Sequence, residues 1–222
     1  MKNNIVSNKK NLIFVVGSAG TGKTTIAEQL VQNTNCVYLD KDTVGGRYSD
    51  LIMQMNGQDI NDRDSKFYQQ HCRDMEYIVT MDVALDNLAL GRNVLIVGPF
   101  GKELLDEMWI EKQLARIESD FSDVRVTVVH VYLSDMEQQR KRIVARNHPR
   151  DAWKLANWEE FSVRIKGLKD FRCEWNPIEV GILHLDNSGD SIKENVQKAM
   201  DYLEFTPTQM EEIEDYNQVY QS

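Results

Sequence analysis

The sequence predicts a three-layer α/β fold: a five-stranded, mainly parallel sheet with helices on both faces and a small lid. Two observations carry this. Apolar, strand-like runs alternate five times with stretches of helical periodicity, the signature of strand–helix–strand units. The first run, Leu12–Val16, is apolar without alternation, as in a strand buried on both faces of a parallel sheet. It passes through Gly17, Gly20 and Gly22 into a helical pattern.

The elements follow in order. Ile26, Leu30 and Val31 lie at helical spacing in a helix from about Lys23 to Asn33, and Cys36–Asp40 reads as a second strand. Residues 41–63 are polar and contain Gly45, Gly46 and Gly57, so they read as a mobile loop with one helical turn at most. One long helix is expected from near Asp64 to a stop at Gly91, with Met75, Ile78, Met81, Leu85 and Leu88 as its apolar stripe. Val94–Val97 gives a third strand, residues 102–119 a helix, and 124–133, rich in β-branched residues, a fourth strand. Ser134 reads as a helix cap, with Glu137 three residues on completing a capping box. A basic and aromatic segment, Arg140 to Trp158, leads into a helix ending near Phe171. The stretch GILHLDNSG gives the fifth strand and 191–204 a last amphipathic helix. Residues 1–204 read as one domain, with a lid at about 146–158 and an acceptor region at about 41–90. The tail, 205–222, has four acidic residues and no Lys or Arg; it is either frayed or a small helix docked through Phe205, Ile213 and Tyr216.

Bulk properties narrow the function. The 222 residues fit one α/β domain with an inserted lid. A formal charge of −9 argues against a partner with a continuous phosphate backbone, yet leaves room for a small anion in a local basic cleft. Cys36, Cys72 and Cys173 are odd in number and widely spaced, which reads as reduced thiols in a cytoplasmic protein. The apolar run after the first lysines is too short for the core of a signal peptide, and no stretch reaches the ~20 apolar residues of a membrane span.

The chemistry starts at Gly17-Ser18-Ala19-Gly20-Thr21-Gly22-Lys23-Thr24, which matches GxxxxGK[ST] between a strand and a helix. Glycines let the backbone curl until successive N–H groups face phosphate oxygens, and the helix beginning near Lys23 adds the positive end of its dipole. With Thr25 at its far edge, the run is a nucleotide phosphate site in which Lys23 reaches the β- and γ-phosphates and the Thr24 hydroxyl ligates Mg²⁺. There is no NKxD for reading guanine. The third strand runs into Gly98-Pro99 with no terminal carboxylate, unlike motor and remodelling ATPases.

Three features together resemble the small-molecule kinases of the P-loop class, which include adenylate, shikimate and gluconate kinases and the zeta-toxin-like, AAA-type ATP-binding kinases. They are the glycine loop, the stretch VYLDKD in which Asp40 ends the second strand, and RKRIVARNHPRDAWKL, similar to the adenylate-kinase stretch whose arginine pair opens the lid. The resemblance spans residues 12 to about 188 and implies a P-loop NTPase fold with ATP and Mg²⁺ as cofactors. It implies that Arg142 stacks on adenine, Arg146 contacts the ATP phosphates and Arg150 balances charge from a closing lid. His148 would be a hinge, and Trp153 and Trp158 would pack the lid shut or simply pack the core. Asp186, Asn187 and Ser188 would offer groups to the base edge or cap the last helix.

In a doubly wound sheet, ligands bind beyond the carboxyl ends of the strands, so Asp40 and Gly98 should share the loop's crevice. Asp40 can take the proton of an acceptor hydroxyl or hold the metal's water shell, and a plain turn cap competes with both. Asp42, Arg47 and Gly98 are the candidate acceptor contacts, with Arg63 and Arg73 as further anion contacts. The expected activity is ATP- and Mg²⁺-dependent phosphoryl transfer to a small-molecule acceptor. A zeta-toxin-like or nucleic-acid-end kinase is the near alternative, and a nucleotide-binding regulator the distant one.

Overall fold

A computed structural model describes residues 9–117, 124–165, 171–175, 180–189 and 191–204. Five strands, β1 (Lys10–Val16), β2 (Cys36–Asp40), β3 (Asn93–Val97), β4 (Val124–Tyr132) and β5 (Val180–Asp186), form one sheet in the order β2-β3-β1-β4-β5. Every pairing is parallel, so the sheet is wholly rather than mainly parallel among the described residues. The register sets Phe14 beside Ile96 and Val128 at the sheet's centre.

The unbroken apolar character of β1 follows from its two buried faces. Leu12, Phe14 and Val16 point into a core shared with α5 (Arg73–Ala89) and α6 (Trp109–Leu114). Ile13 and Val15 point into a second core, shared with α1 (Lys23–Gln32) and α10 (Ile192–Leu203). Period-two alternation along one strand therefore feeds two helical layers. Phe14 is the centre of the first core: Phe100 and Trp175 meet it edge-on at 5.0 Å and Trp109 at 6.2 Å. Phe100, the third residue after β3, holds φ at +48° with its ring fully buried. Burial of an aromatic side chain, about 1.5–3 kcal/mol, offsets a left-handed backbone costing roughly 1–2 kcal/mol.

Several elements differ from the sequence expectation. Residues 41–63 hold two helices, α2 (Lys41–Val44) and α3 (Gly46–Met55), rather than a loop. The long helix from Asp64 is two: α4 (Lys66–His71), capped by the Ser65 hydroxyl, and α5, with a break at Cys72. The break has a packing cause. Tyr68 and Cys72 belong with Met53 in a satellite core, whereas α5 must lie on the sheet, and one straight helix cannot serve both. The stripe is correspondingly rotated: Met75 and Ile78 are about half exposed, and Tyr77, Met81, Ala84, Leu85 and Leu88 face the sheet. Of the helix expected over 102–119, the described residues 102–117 hold a 3-10 turn, Glu103–Leu105, and the short α6, because Asp106 takes an extended conformation between them.

After β4 comes α7 (Met136–Arg146), whose cap is Asp135 and not Ser134: the Asp135 carboxylate accepts from the Glu137 and Gln138 amides. Ser134 is engaged elsewhere, its amide donating to Ser188 Oγ at 2.8 Å. The segment expected to form a lid, 146–158, holds a 3-10 turn at Pro149–Asp151 and α8 (Ala152–Ala156), and α9 (Trp158–Arg164) starts at its end; Phe171 is not helical, and the acidic tail lies outside the described residues. No described helix is long and apolar enough to cross a membrane.

Emptying the centre of the first core is the sharpest test of this packing. Phe14→Ala is expected to cost about 3–5 kcal/mol of unfolding free energy by chemical denaturation. A loss below ~1 kcal/mol would contradict the two-faced role of β1.

Candidate nucleotide and acceptor site

The glycine loop leaves the end of β1 pressed against its neighbours. A Cβ on Gly17 would stand 2.3 Å from the Val131 carbonyl oxygen, and one on Gly22, whose φ is +88°, would stand 2.4 Å from Asn187 Nδ2. No side chain fits at either place, so the glycines are required by the loop's walls as well as by its curl. The loop is held from outside. Gln139, buried on α7, donates from Nε2 to Ser18 Oγ and to the Ala19 carbonyl, each at 2.7 Å. Asn187, buried after β5, donates from Nδ2 to the Thr21 carbonyl at 2.8 Å. A planar trans peptide puts its N–H opposite its carbonyl, so the amides of Gly20 and Gly22 are turned away from these braces. Thr21 Oγ1 and Lys23 Nζ both donate to the Ser18 carbonyl, at 3.1 and 3.3 Å, which folds the lysine back over the loop. Burial pushes the Lys23 amine below its usual pKa; the carboxylates of Asp42 and Asp40 oppose this, and Arg146 and Lys41 add to it. An arriving anion would push that pKa back up. Thr24 and Thr25 are exposed at the start of α1.

Across from the loop, β2 ends in Asp40, whose Oδ1 accepts from the Thr43 amide at 3.0 Å and so caps α2. Burial, reinforced by the charge of Asp42, raises the Asp40 carboxyl above the usual range. For Asp42, whose side chain is 63% exposed, crowding by the surrounding protein alone would do the same, but Lys41, 2.7 Å away, with Lys23 and Arg150 behind it, holds that carboxyl below the usual range. Two carboxyls next to the loop lysine are thus driven in opposite directions.

Lys41 belongs to a buried ionic ladder. Its amine is ion-paired with Glu76, only 2% exposed, which also accepts from Arg63 at 3.1 Å and from the Tyr68 hydroxyl at 2.7 Å. Arg63 continues to Asp50, and Asp50 accepts from Arg150 of the lid at 3.2 Å. A second tie runs from Lys154 to Asp64 at 3.6 Å. Arg146 Nε donates to the buried Asp151 at 2.8 Å. The lid arginines are therefore near the loop and Asp42, each already facing a carboxylate.

Of the other sequence candidates, Arg142 donates from Nη2 to the Asn187 carbonyl at 2.9 Å, beside Gly22. Arg47 is exposed on α3. Gly98 is buried, and a Cβ there would be 3.0 Å from the Phe100 ring and 3.5 Å from Lys41. Arg73 is not poised for an anion: it forms a two-pronged pair with Glu103 at 2.7 and 2.8 Å. Arg63 is likewise consumed by the ladder. His148 caps the 3-10 turn, its Nδ1 accepting from the Arg150 amide at 3.2 Å. Trp153 and Trp158 lie under the guanidinium groups of Arg164 and Arg140, at 4.9 and 5.7 Å.

A family model described as AAA domain matches residues 12–168, from β1 past the end of α9. The chain belongs to this AAA domain family. No curated protein matches the chain. Among solved structures, the AAA domain is similar to a candidate kinase from Chloroflexus aurantiacus, with 17% identity, a TM-score of 0.61, and 88% of this chain and 98% of that one covered. It is also similar to a sugar kinase from Janibacter sp. HTCC2649, with 16% identity, a TM-score of 0.54, and 90% and 96% covered. At such identities the likeness is one of fold: the α/β fold of P-loop kinases.

Sequence reading of this AAA domain missed Gln139, Asn187, Lys41 and Glu76. For Asn187 the sequence suggests a base-edge contact or a cap of the last helix, whereas its bracing of the loop spans 166 positions that no local pattern connects. Gln139 had one signal, a neutral side chain opening a basic helix. Glu76 had none, because a buried carboxylate at helical spacing is indistinguishable from a solvated one until its partners are placed.

The two site carboxyls give a pH test. In carboxyl NMR titration Asp40 is expected to titrate above, and Asp42 below, the ordinary aspartate pKa of about 3.9. Asp42, being depressed, stabilises the fold above its unfolded pKa, and that contribution is lost as pH falls through its folded value. Asp40, being raised, favours the fold while protonated, and this is lost as pH rises through its folded value. Asp42→Asn should bring the Asp40 value down. The reverse order of titration would contradict the assignment.

Proposed function

We propose that this AAA domain is an ATP- and Mg²⁺-dependent kinase that transfers the γ-phosphate to a hydroxyl of a small-molecule acceptor, with residues 1–204 acting as one unit and 146–158 as its lid. The observation that carries the reading is the convergence of an externally braced glycine loop, the oppositely shifted Asp40 and Asp42, and two lid arginines on one crevice. The residues fit the cofactor: with the Ala19 and Thr21 carbonyls held by Gln139 and Asn187, the Gly20 and Gly22 amides are turned the other way, and the exposed Thr24 hydroxyl at the start of α1 suits a hard cation's preference for oxygen. Bound Mg²⁺ would be held by Thr24 and, through water, Asp40, and would neutralise charge on the transferring group.

The chain's own residues do the rest. Loop amides from Ser18 to Thr25 bind the phosphates and Lys23 stabilises the charge that develops on them. Asp40, with its raised pKa, accepts the acceptor's proton, and the ionised Asp42 orients the hydroxyl. Arg142, which sits beside Gly22 and Asn187, stacks its guanidinium on the adenine. Arg146 and Arg150 exchange Asp151 and Asp50 for phosphate oxygens as the lid settles, excluding water. Arg47 and the Gly98 turn flank the acceptor side.

The test uses γ-labelled ATP with a library of hydroxylated metabolites. Asp40→Asn should lower transfer by roughly 10²–10⁴-fold, the usual worth of a positioned general base, while ATP affinity stays within about threefold. Lys23→Ala should lose both transfer and affinity. If Asp40→Asn transfers at the full rate, the base role falls. If ATP binds and no acceptor is phosphorylated, a nucleotide-binding regulator is the better reading.

A further inference from the structure

Beyond the loop lies a cavity of about 340 Å³, lined by Gly17, Ser18 and Thr21 on one side and Val131–Leu133 on another. Its position follows from topology. The chain leaves β1 towards β2 on one side of the sheet and leaves β4 towards β5 on the other, so the outgoing loops diverge and open a crevice between them. The volume is that of a metabolite-sized site.

The lining is unlike that of a sugar site. Leu105, 56% exposed, forms part of the wall together with Pro99, Leu104, Leu133 and Phe171. Beyond the loop's own amides, several side-chain polar groups at the cavity already have partners. Ser18 Oγ accepts from Gln139 and Thr21 Oγ1 donates to the Ser18 carbonyl. The Gln139 amide nitrogen is shared between Ser18 and Ala19. His130 Nδ1 is 3.2 Å from His184 Nδ1, with the Phe171 ring stacked on its face at 4.0 Å. Burial, with the charge of His184, pushes His130 down to about 4, so this wall is uncharged at neutral pH. Tyr132 also lines the cavity; of its two arginines, Arg164 is ion-paired with Glu160 over the Trp153 ring, so among the described lining residues the exposed Arg172 is the one placed to meet an anion. Against the apolar part of this wall a polyhydroxylated ligand would lose its water without recovering its hydrogen bonds.

We propose that the acceptor of this kinase is a hydroxylated compound with an apolar body, aliphatic or aromatic, and one anionic group, its body against Leu105, Leu133 and Phe171 and its anion at Arg172. This rests on the kinase reading for the transfer itself, while the binding chemistry stands on the cavity. Arg172 and Leu105 determine specificity, one for the anion and one for the body.

Calorimetry on the full chain without nucleotide, using 10-hydroxydecanoate, 4-(hydroxymethyl)benzoate, 1,10-decanediol and gluconate as probes, tests the proposal. At least one of the two apolar hydroxy acids should bind at least tenfold more tightly than gluconate, and 1,10-decanediol should bind more weakly than 10-hydroxydecanoate. Leu105→Asp and Arg172→Gln, both at exposed positions and checked for folding by circular dichroism, should each weaken that binding about tenfold. Gluconate binding as well as either hydroxy acid, no binding by either, or binding untouched by both variants overturns the proposal. A parallel assay with γ-labelled ATP separates the two claims. Binding with no transfer supports the cavity and removes the kinase reading, whereas transfer to gluconate with no binding of the apolar acids does the opposite.

Discussion

The fold's functional end depends on one constraint: the glycine loop is shaped from outside, by side chains that occupy its carbonyls. A loop with three glycines has little preference for any one curl, since glycine loses more backbone entropy on ordering than any other residue. Gln139 from α7 and Asn187 from the turn after β5 supply what the loop lacks, and both are buried, where a hydrogen bond faces little competition from water. Asn187 is itself fixed, its amide donating to the Tyr132 carbonyl at 2.8 Å and its Oδ1 accepting from Asn195. The two braces come from strands β4 and β5 on one side of β1, while Asp40 arrives from β2 on the other. The loop is therefore the seam of the whole sheet.

The ionic ladder from Asp42 through Lys41, Glu76, Arg63 and Asp50 to Arg150 has a different character. Buried charges lose hydration worth several kcal/mol each and recover it only through close, multiply bonded geometry, so such a network specifies an arrangement more than it stabilises one. Here the arrangement it specifies joins α2, α3 and α5 to the lid, which places an arginine at the far edge of the crevice. Because Lys41 is shared between Glu76 and Asp42, the same ladder sets the low pKa of Asp42 and so separates it from Asp40. Structural wiring and site electrostatics are one network.

The sheet and the loop were legible because they are local. Unbroken apolar runs, a glycine motif of fixed spacing and a carboxylate at a strand's end are written in adjacent residues. Breaks within helical stretches were not, since Cys72 interrupts a helix only because Tyr68 and Tyr77 serve different cores. Capping at Asp135 rather than Ser134 was decided by a partner across the sheet, Ser188, that takes the serine. The same holds for arginines: charge marked Arg63 and Arg73 as anion contacts, but Glu76 and Glu103, distant in sequence, had already claimed them. Side chains whose role depends on a nonlocal partner are where reading along the chain fails.

The central claim is that the inner face of residues 17–25 presents amides to a nucleotide's phosphates. Backbone amide NMR during titration with ATP and magnesium measures it directly. The account predicts saturable shifts concentrated at Gly20, Gly22, Lys23 and Thr24, together with the side-chain amides of Gln139 and Asn187 that hold the loop. Saturation with those signals unmoved, or no saturable shift anywhere, would contradict it.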